Sequence, residues 1–136
     1  GEEIPHSGRV DIGSRLTVSY VSQDASALSG SLRELAERAG IDQSLFLTIL
    51  RKLDFSRSQF EKDIADLSSG QKKKVLLARS LSERAHLFLW DEPMNFIDVI
   101  SRIQIEELLA EYRPTMIFVE HDRRFCENVA TRFLEL

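Results

Sequence analysis

Leu67-Ser68-Ser69-Gly70-Gln71 and Leu87-Phe88-Leu89-Trp90-Asp91-Glu92-Pro93 are the two runs, within residues 67–98, that decide the fold. The first run places serine and glycine at the start of a predicted helix, where free backbone amides can hold an anion. The second run is continuously apolar, as is typical of a strand buried on both faces, and it ends in two carboxylates. Asp98 then closes a short polar loop. The stretch therefore combines three parts of a phosphate-binding site.

The chain after this stretch alternates between helix and strand. Asp98 is predicted to cap a helix that Pro114 ends, and Thr115–Val119 forms a second continuous apolar strand. This spacing of strand, helix and strand predicts a parallel βαβ unit. A short helix from Asp122 to Ala130 and a last strand from Thr131 to Leu136 complete the predicted α/β core.

The first half of the chain predicts a hairpin followed by helices. Residues 7–21 have the alternation of two antiparallel strands, with these apolar side chains on the buried face: Val10, Ile12, Leu16, Val18 and Tyr20. A capping box at Ser31 and Glu34 starts one helix, which Gly40 stops, and Asp42 caps another. Residues 25–66 therefore form a helical insert.

A further helix is predicted from Gln71 to about Ser82, with its apolar residues inward and Lys72, Lys73 and Lys74 facing solvent. With this helix, the small helical subdomain covers about residues 25–82 and the remainder is the α/β core. A run of lysines can also bind nucleic acid, but a solvated helix face is the commoner meaning. The net charge of −4 also gives no sign of a nucleic-acid surface.

Composition places the chain among cytoplasmic proteins. Its 136 residues suffice for one domain, and its 22 acidic and 18 basic residues suit a solvated surface. The single Cys126 cannot form an intrachain disulfide, and no Cys/His cluster has the spacing of a zinc site. The sequence contains no signal-peptide pattern and no long apolar stretch, so no direct membrane insertion is expected.

Both predicted core strands end in ionisable residues. Asp91 and Glu92 follow the first strand, and Glu120 and His121 follow the second. In open α/β sheets the ligand crevice lies at the carboxyl ends of the strands. A carboxylate there can hold Mg²⁺ while its neighbour orients or deprotonates a water. Each residue alone is more often a cap of a loop or helix, but Asp-Glu-Pro after four apolar residues is a sharper pattern.

The order of these motifs resembles the nucleotide-binding domain of ABC ATPases over essentially the whole chain. The resemblance implies a partial P-loop NTPase core of ABC type, with a mostly parallel sheet plus a small helical subdomain. It also implies ATP and Mg²⁺ as cofactors of an ATP-hydrolysing intact protein. The implied roles are catalysis by Glu92, His121 and Gln23, nucleotide binding by Ser68, Ser69, Gly70, Gln71 and Asp98, and metal binding by Asp91 and Gln23.

The residues within the motifs indicate the branch of the family. Leu-Ser-Ser-Gly-Gln-Lys-Lys-Lys-Val and Trp-Asp-Glu-Pro-Met-Asn-Phe-Ile-Asp resemble ABC-F proteins, and Met94, Phe96 and Ile97 favour the Lsa/Vga/Msr-type factors that protect ribosomes from antibiotics. The implied partners are a second ABC ATPase domain and the ribosome. One alternative is the ATP-hydrolysing subunit of a membrane transporter. Another is a degenerate binding module without turnover.

One motif of the family is absent from the sequence. None of the six glycines begins a Gly-x4-Gly-Lys-Ser/Thr loop. The resemblance places that loop upstream of Gly1, so residues 1–136 are expected to be the C-terminal portion of one ABC ATPase domain. Alone, this portion is expected to be inactive and to bind ATP weakly. An open sheet edge beside residues 115–120 is expected to cause self-association.

Overall fold

The computed structural model describes residues 5, 7–9 and 11–135. The strands are β1 (Val18–Val21), β2 (Leu87–Asp91) and β3 (Met116–Val119). The helices are α1 (Leu32–Ala39), α2 (Gln43–Lys52), α3 (Arg57–Phe60), α4 (Ser69–Ser82), α5 (Val99–Tyr112) and α6 (Arg123–Val129), with a 3₁₀ turn at Ile64–Asp66.

The three strands form one parallel sheet in the order β1-β2-β3. Tyr20 pairs with Leu89, and Leu89 pairs with Ile117, so all three strands end at the same edge. Helix α5 connects β2 to the parallel strand β3, which confirms the predicted βαβ unit. The α/β class is therefore confirmed.

The helices begin where local chemistry predicts. The Ser31 side chain accepts from the Glu34 amide at 3.1 Å and Glu34 accepts from the Ser31 amide at 3.2 Å, which confirms the capping box of α1. Gly40 ends α1 with a φ of 66°, a left-handed conformation that glycine adopts without steric cost. Asp42 caps α2 through the Leu45 amide. The backbone amides at the starts of both helices therefore find hydrogen-bond partners among residues that are close in sequence.

Helix α4 is attached to the sheet by a buried polar network. Ser80 Oγ accepts from Trp90 Nε1 at 2.9 Å and lies 2.6 Å from Ser19 Oγ. Ser19 and Ser80 have no exposed surface, and Trp90 is 1% exposed. Hydrogen bonds satisfy these polar groups, which would be costly to bury without partners. The network therefore connects α4 to β1 and β2.

The predicted hairpin over residues 7–21 is wrong in the described residues. Only Val18–Val21 is a strand, and its partner is the parallel strand β2. Ile12 and Leu16 lie outside any strand, and Val10 lies outside the described residues. Alternation predicted the strand itself correctly, but its pairing depends on a segment nearly seventy residues away.

The buried face of β1 is also opposite to the prediction. Val18 and Tyr20 are 40% and 52% exposed, whereas Ser19 and Val21 are fully buried. On β3, Ile117 is 57% exposed. We call the surface formed by Val18, Tyr20, Leu87, Leu89, Ile117 and Val119 the open sheet face. The expectation that β2 and β3 are buried on both faces is therefore wrong in the described structure.

The predicted last strand over Thr131–Leu136 is not observed in the described residues. Residues 131–135 are irregular and exposed, and Leu136 lies outside the described residues. A strand needs a partner for its backbone groups, and the sequence alone does not show one.

Across the described ranges, no helix combines the length and apolar character that crossing a bilayer requires.

Candidate functional site

The carboxyl end of β2 is adjacent to the loop that follows β1. Gln23 Nε2 donates to Asp91 Oδ1 at 3.2 Å. The parallel pairing sets this approach, because Val21 at the end of β1 lies opposite Trp90. Two residues separated by 67 others in the sequence are thereby brought into contact.

Glu92 begins the loop after β2 in a left-handed conformation, with a φ of 48°. Its amide donates to Val119 O at 2.8 Å, which holds the turn against β3. A non-glycine residue with positive φ is uncommon and often marks a functional site. The turn brings Glu92 Oε1 within 3.2 Å of His121 Nε2, and the His121 side chain is 84% exposed. The pair can therefore reach a ligand or water at the sheet edge.

Glu120 organises the same edge, although the sequence suggested no site role for it beyond its place at a strand end. Its Oε2 accepts from the Met94 amide at 2.8 Å, and its Oε1 accepts from the His121 and Asp122 amides at 2.9 and 3.2 Å. One carboxylate thus holds both loops that carry Glu92 and His121. Its position directly after an apolar strand was the signal in the sequence.

Lys73 is fully buried, so the prediction that all three lysines face solvent is wrong for this residue. Its Nζ donates to Ser22 O at 3.1 Å and to Gln23 O at 3.3 Å. Burial lowers the pKa of the Lys73 ammonium, and the nearby carboxylates, first Asp91, oppose that shift. No pattern in the sequence separates Lys73 from its lysine neighbours except its place on the apolar side of α4.

The start of α4 is also built as a capping box. Ser68 Oγ accepts from the Gln71 amide at 3.2 Å, and Gln71 Oε1 accepts from the Ser68 amide at 3.0 Å. Among the described hydrogen bonds, none uses the amides of Ser69 and Gly70, the first two helical residues. These amides, at the positive end of the helix dipole, can receive an anion.

Gly70 lies close to the loop that follows β2. A Cβ atom at this position would lie 2.7 Å from Phe96 O, so only glycine permits the observed approach. Phe96 itself has a φ of 66°. A cavity of about 240 Å³ opens at this contact and is lined by Ser68, Gly70, Gln71, Lys74, Phe96, Ile97 and Asp98.

Asp98 has a structural role that is visible in its contacts. Its Oδ1 accepts from the Ser101 amide at 2.7 Å and caps α5 as predicted. This backbone hydrogen bond is the main reason that the pKa of Asp98 is lowered from its ordinary value. The same residue lines the cavity beside Gly70, so the cap also positions a carboxylate there.

The predicted site residues fall into two groups. The sheet-edge group contains the Gln23–Asp91 and Glu92–His121 pairs. The helix-start group contains Ser68, Gly70, Gln71 and Asp98 around the cavity, and Ser69 is exposed at the first helical position outside its lining.

The sheet-edge group fits a hydrated Mg²⁺ ion. Within the described residues, no three His, Cys, Asp or Glu side chains are arranged to hold a metal ion by themselves. Mg²⁺ commonly keeps several waters and takes one or two carboxylates together with substrate phosphates. The Asp91 carboxylate and the adjacent Gln23 amide provide oxygen donors for such a shared site.

The chain is similar to one protein family and to bacterial proteins related to it. The family model of the ABC transporter matches residues 1–95. YdiF of Bacillus subtilis is 35% identical over 136 residues, covering 97% of this chain and 21% of the relative. The ATP-binding protein Uup of Caulobacter vibrioides is 30% identical over 145 residues, covering 100% of this chain and 24% of the relative.

Two solved structures superpose on most of this chain. A structure titled RNase-L Inhibitor superposes with a TM-score of 0.74 at 27% identity, over 94% of this chain and 26% of that one. The complex of the archaeal ribosomal stalk protein aP1 and the archaeal ribosome recycling factor aABCE1 superposes with a TM-score of 0.73 at 26% identity, over 94% of this chain and 26% of that one. The chain thus spans about a quarter of the length of these relatives.

Proposed function

The chain belongs to the ABC transporter family, and from this membership we propose that it supplies the hydrolytic carboxylates and the helix-start group of one ATPase domain in a longer protein. The proposed reaction of the intact protein is hydrolysis of ATP with Mg²⁺. The observation that carries this proposal is the meeting of Gln23, Asp91, Glu92 and His121 at one sheet edge.

The sheet-edge group suits hydrolysis by its chemistry. Glu92 is placed to orient or deprotonate an attacking water, and His121 can donate a hydrogen bond to an oxygen of the transferred phosphoryl group. Asp91 and Gln23 would hold Mg²⁺, which neutralises charge on the phosphates when bound. Glu120 joins the loops of Glu92 and His121 by accepting hydrogen bonds from the amides of Met94 and His121.

The helix-start group suits recognition of phosphate rather than hydrolysis. The amides of Ser69 and Gly70 lie at the start of helix α4, where Ser68 and Gln71 already form hydrogen bonds with each other. We assign Ser68, Ser69, Gly70, Gln71 and Asp98 to nucleotide held by a second ATPase domain. ATP would then bind two domains together, and hydrolysis would release them.

The intact protein is proposed to be an ABC-F factor that acts on cytoplasmic ribosomes and protects them from antibiotics. Two observations support a ribosomal partner over a transporter. One is the likeness to a structure whose title names a ribosome recycling factor. The other is the motif around Met94, Phe96 and Ile97, which resembles that of the Lsa/Vga/Msr-type factors.

Sedimentation of the intact protein with ribosomes tests this function. With a non-hydrolysable ATP analogue, we expect the protein to pellet with ribosomes through a sucrose cushion, because the analogue would keep the two ATPase domains bound together. ADP is the control and should leave the protein in the supernatant. Recovery in the membrane fraction, with no ribosome binding in either nucleotide, would instead support a transporter subunit.

In the part of the chain that the structure describes, β1 and β3 each pair on one side only. Together with the open sheet face, this leads to a prediction for the isolated chain. We expect dimers or larger species in light scattering, because exposed apolar surface and unpaired strand edges associate. Replacing Tyr20 and Ile117 by lysine should return the chain to a monomer. A monomeric unmodified chain across the micromolar range would contradict this prediction.

A further inference from the structure

Lys73 is a buried charge that the proposed catalytic roles leave unexplained. Its side chain has no exposed surface, and its ammonium donates to the carbonyl oxygens of Ser22 and Gln23 at 3.1 and 3.3 Å. In the described part of the chain, no carboxylate forms an ion pair with it within 4.0 Å. The ammonium is thus held by two neutral acceptors on one short segment.

Folding stability does not account for a lysine at this position. Taking an ammonium out of water costs several kcal/mol, and two carbonyl acceptors offset only part of that cost. A methionine has nearly the same length and would fill the space without this penalty. The charge is therefore not explained by a gain in folding stability.

The position of the two carbonyl groups indicates a role for the charge. Ser22 and Gln23 directly follow β1, and the Gln23 side chain reaches Asp91 from this segment at 3.2 Å. The segment is otherwise a polar loop, with Gln23 itself exposed. The Lys73 ammonium is also close enough to Asp91, Glu92 and Glu120 for their charges to act on it.

Lys73 also lies on the helix that carries the nucleotide-recognition residues. Helix α4 begins at Ser69, and Lys73 is one turn further along it. A shift or rotation of α4 would therefore move the ammonium that holds the Gln23 backbone. The contact joins the helix-start group to the sheet-edge group through one side chain.

We propose that Lys73 is a positioning residue for the Gln23–Asp91 pair, which it holds by binding the carbonyl groups of Ser22 and Gln23 from helix α4. This inference rests on the proposed ATPase function and adds a residue to it.

The test replaces Lys73 by methionine in the intact protein, with Lys72→Met as the matched control on the half-exposed side of the same helix. Hydrogen exchange of residues 22–28 in the nucleotide-free protein should accelerate about tenfold in K73M, because two charge-assisted hydrogen bonds to this segment are lost. The midpoint of thermal unfolding should stay equal or rise. The kcat for ATP should fall about tenfold with little change in KM, since the displacement affects positioning rather than ground-state binding.

Each outcome decides a separate question. Unchanged exchange of residues 22–28 in K73M, or a kcat equal to that of K72M, would overturn the positioning role. A lowered unfolding midpoint that accounts for the lost activity would make Lys73 a structural residue instead. If the unmodified protein lacked ATPase activity, the proposed function would fail, and the exchange measurement would still judge the contact between Lys73 and residues 22–23.

Discussion

Replacing Glu92 by glutamine in the intact protein should lower kcat for ATP hydrolysis by about 10²–10⁴-fold, the usual contribution of a general base. The amide keeps the size of the side chain beside His121, whose Nε2 lies 3.2 Å from Glu92 Oε1. It removes the negative charge and the ability to accept a proton from water. Steady-state phosphate release measures the effect, and the affinity for ATP should change little.

The matched control for this change is Glu107→Gln. Glu107 is exposed on α5, away from the sheet edge, and undergoes the same loss of charge. It should retain the full rate. Equal rates for E92Q and the unmodified protein would remove Glu92 from the catalytic role.

Gly70→Ala should reduce ATP turnover by about 10²-fold while changing stability little. The added Cβ would lie 2.7 Å from Phe96 O, so the start of α4 must move away from the loop after β2. A misplacement of about 1 Å in a catalytic assembly can cost such a factor. Overpacking costs about 1–3 kcal/mol, but alanine in a helix recovers roughly 0.5–1 kcal/mol over glycine, so the net loss of stability is modest.

Gly13→Ala serves as the control for this substitution. A Cβ at Gly13 would meet only the flexible Leu16 side chain, at 3.4 Å, so neither turnover nor stability should change. Turnover and the unfolding midpoint, measured on the same preparations, separate the two effects of G70A. A G70A protein that hydrolyses ATP at the normal rate would show that the close approach to Phe96 has no part in the reaction.

Local chemistry allowed much of this fold to be predicted from sequence. Ser31 with Glu34, Gly40, Asp42 and Asp98 each satisfy backbone groups within a few residues, so the helix bounds they imply agree with the structure. The apolar runs before Asp91 and Glu120 likewise predicted the strands that form the sheet edge. These features need no knowledge of distant partners.

The errors arose where a distant partner decides the outcome. Ser19 is buried because Ser80 lies 2.6 Å away, and this contact reverses the expected faces of β1. Lys73 is buried because two carbonyl groups about fifty residues earlier accept its hydrogen bonds. Serine and lysine are both polar, so the sequence predicts that they are exposed to solvent. The sequence does not show which distant group will form a hydrogen bond with them.

The open sheet face also bears on the electrostatics of the carboxylate edge. Water that reaches Val18, Tyr20 and Ile117 keeps a high dielectric beside Asp91 and Glu92, which follow the middle strand. A segment packed on this face would lower that dielectric and strengthen every charge interaction at the edge. Covering the face would therefore increase the electrostatic effect of the same carboxylates, with no change in their identity or spacing.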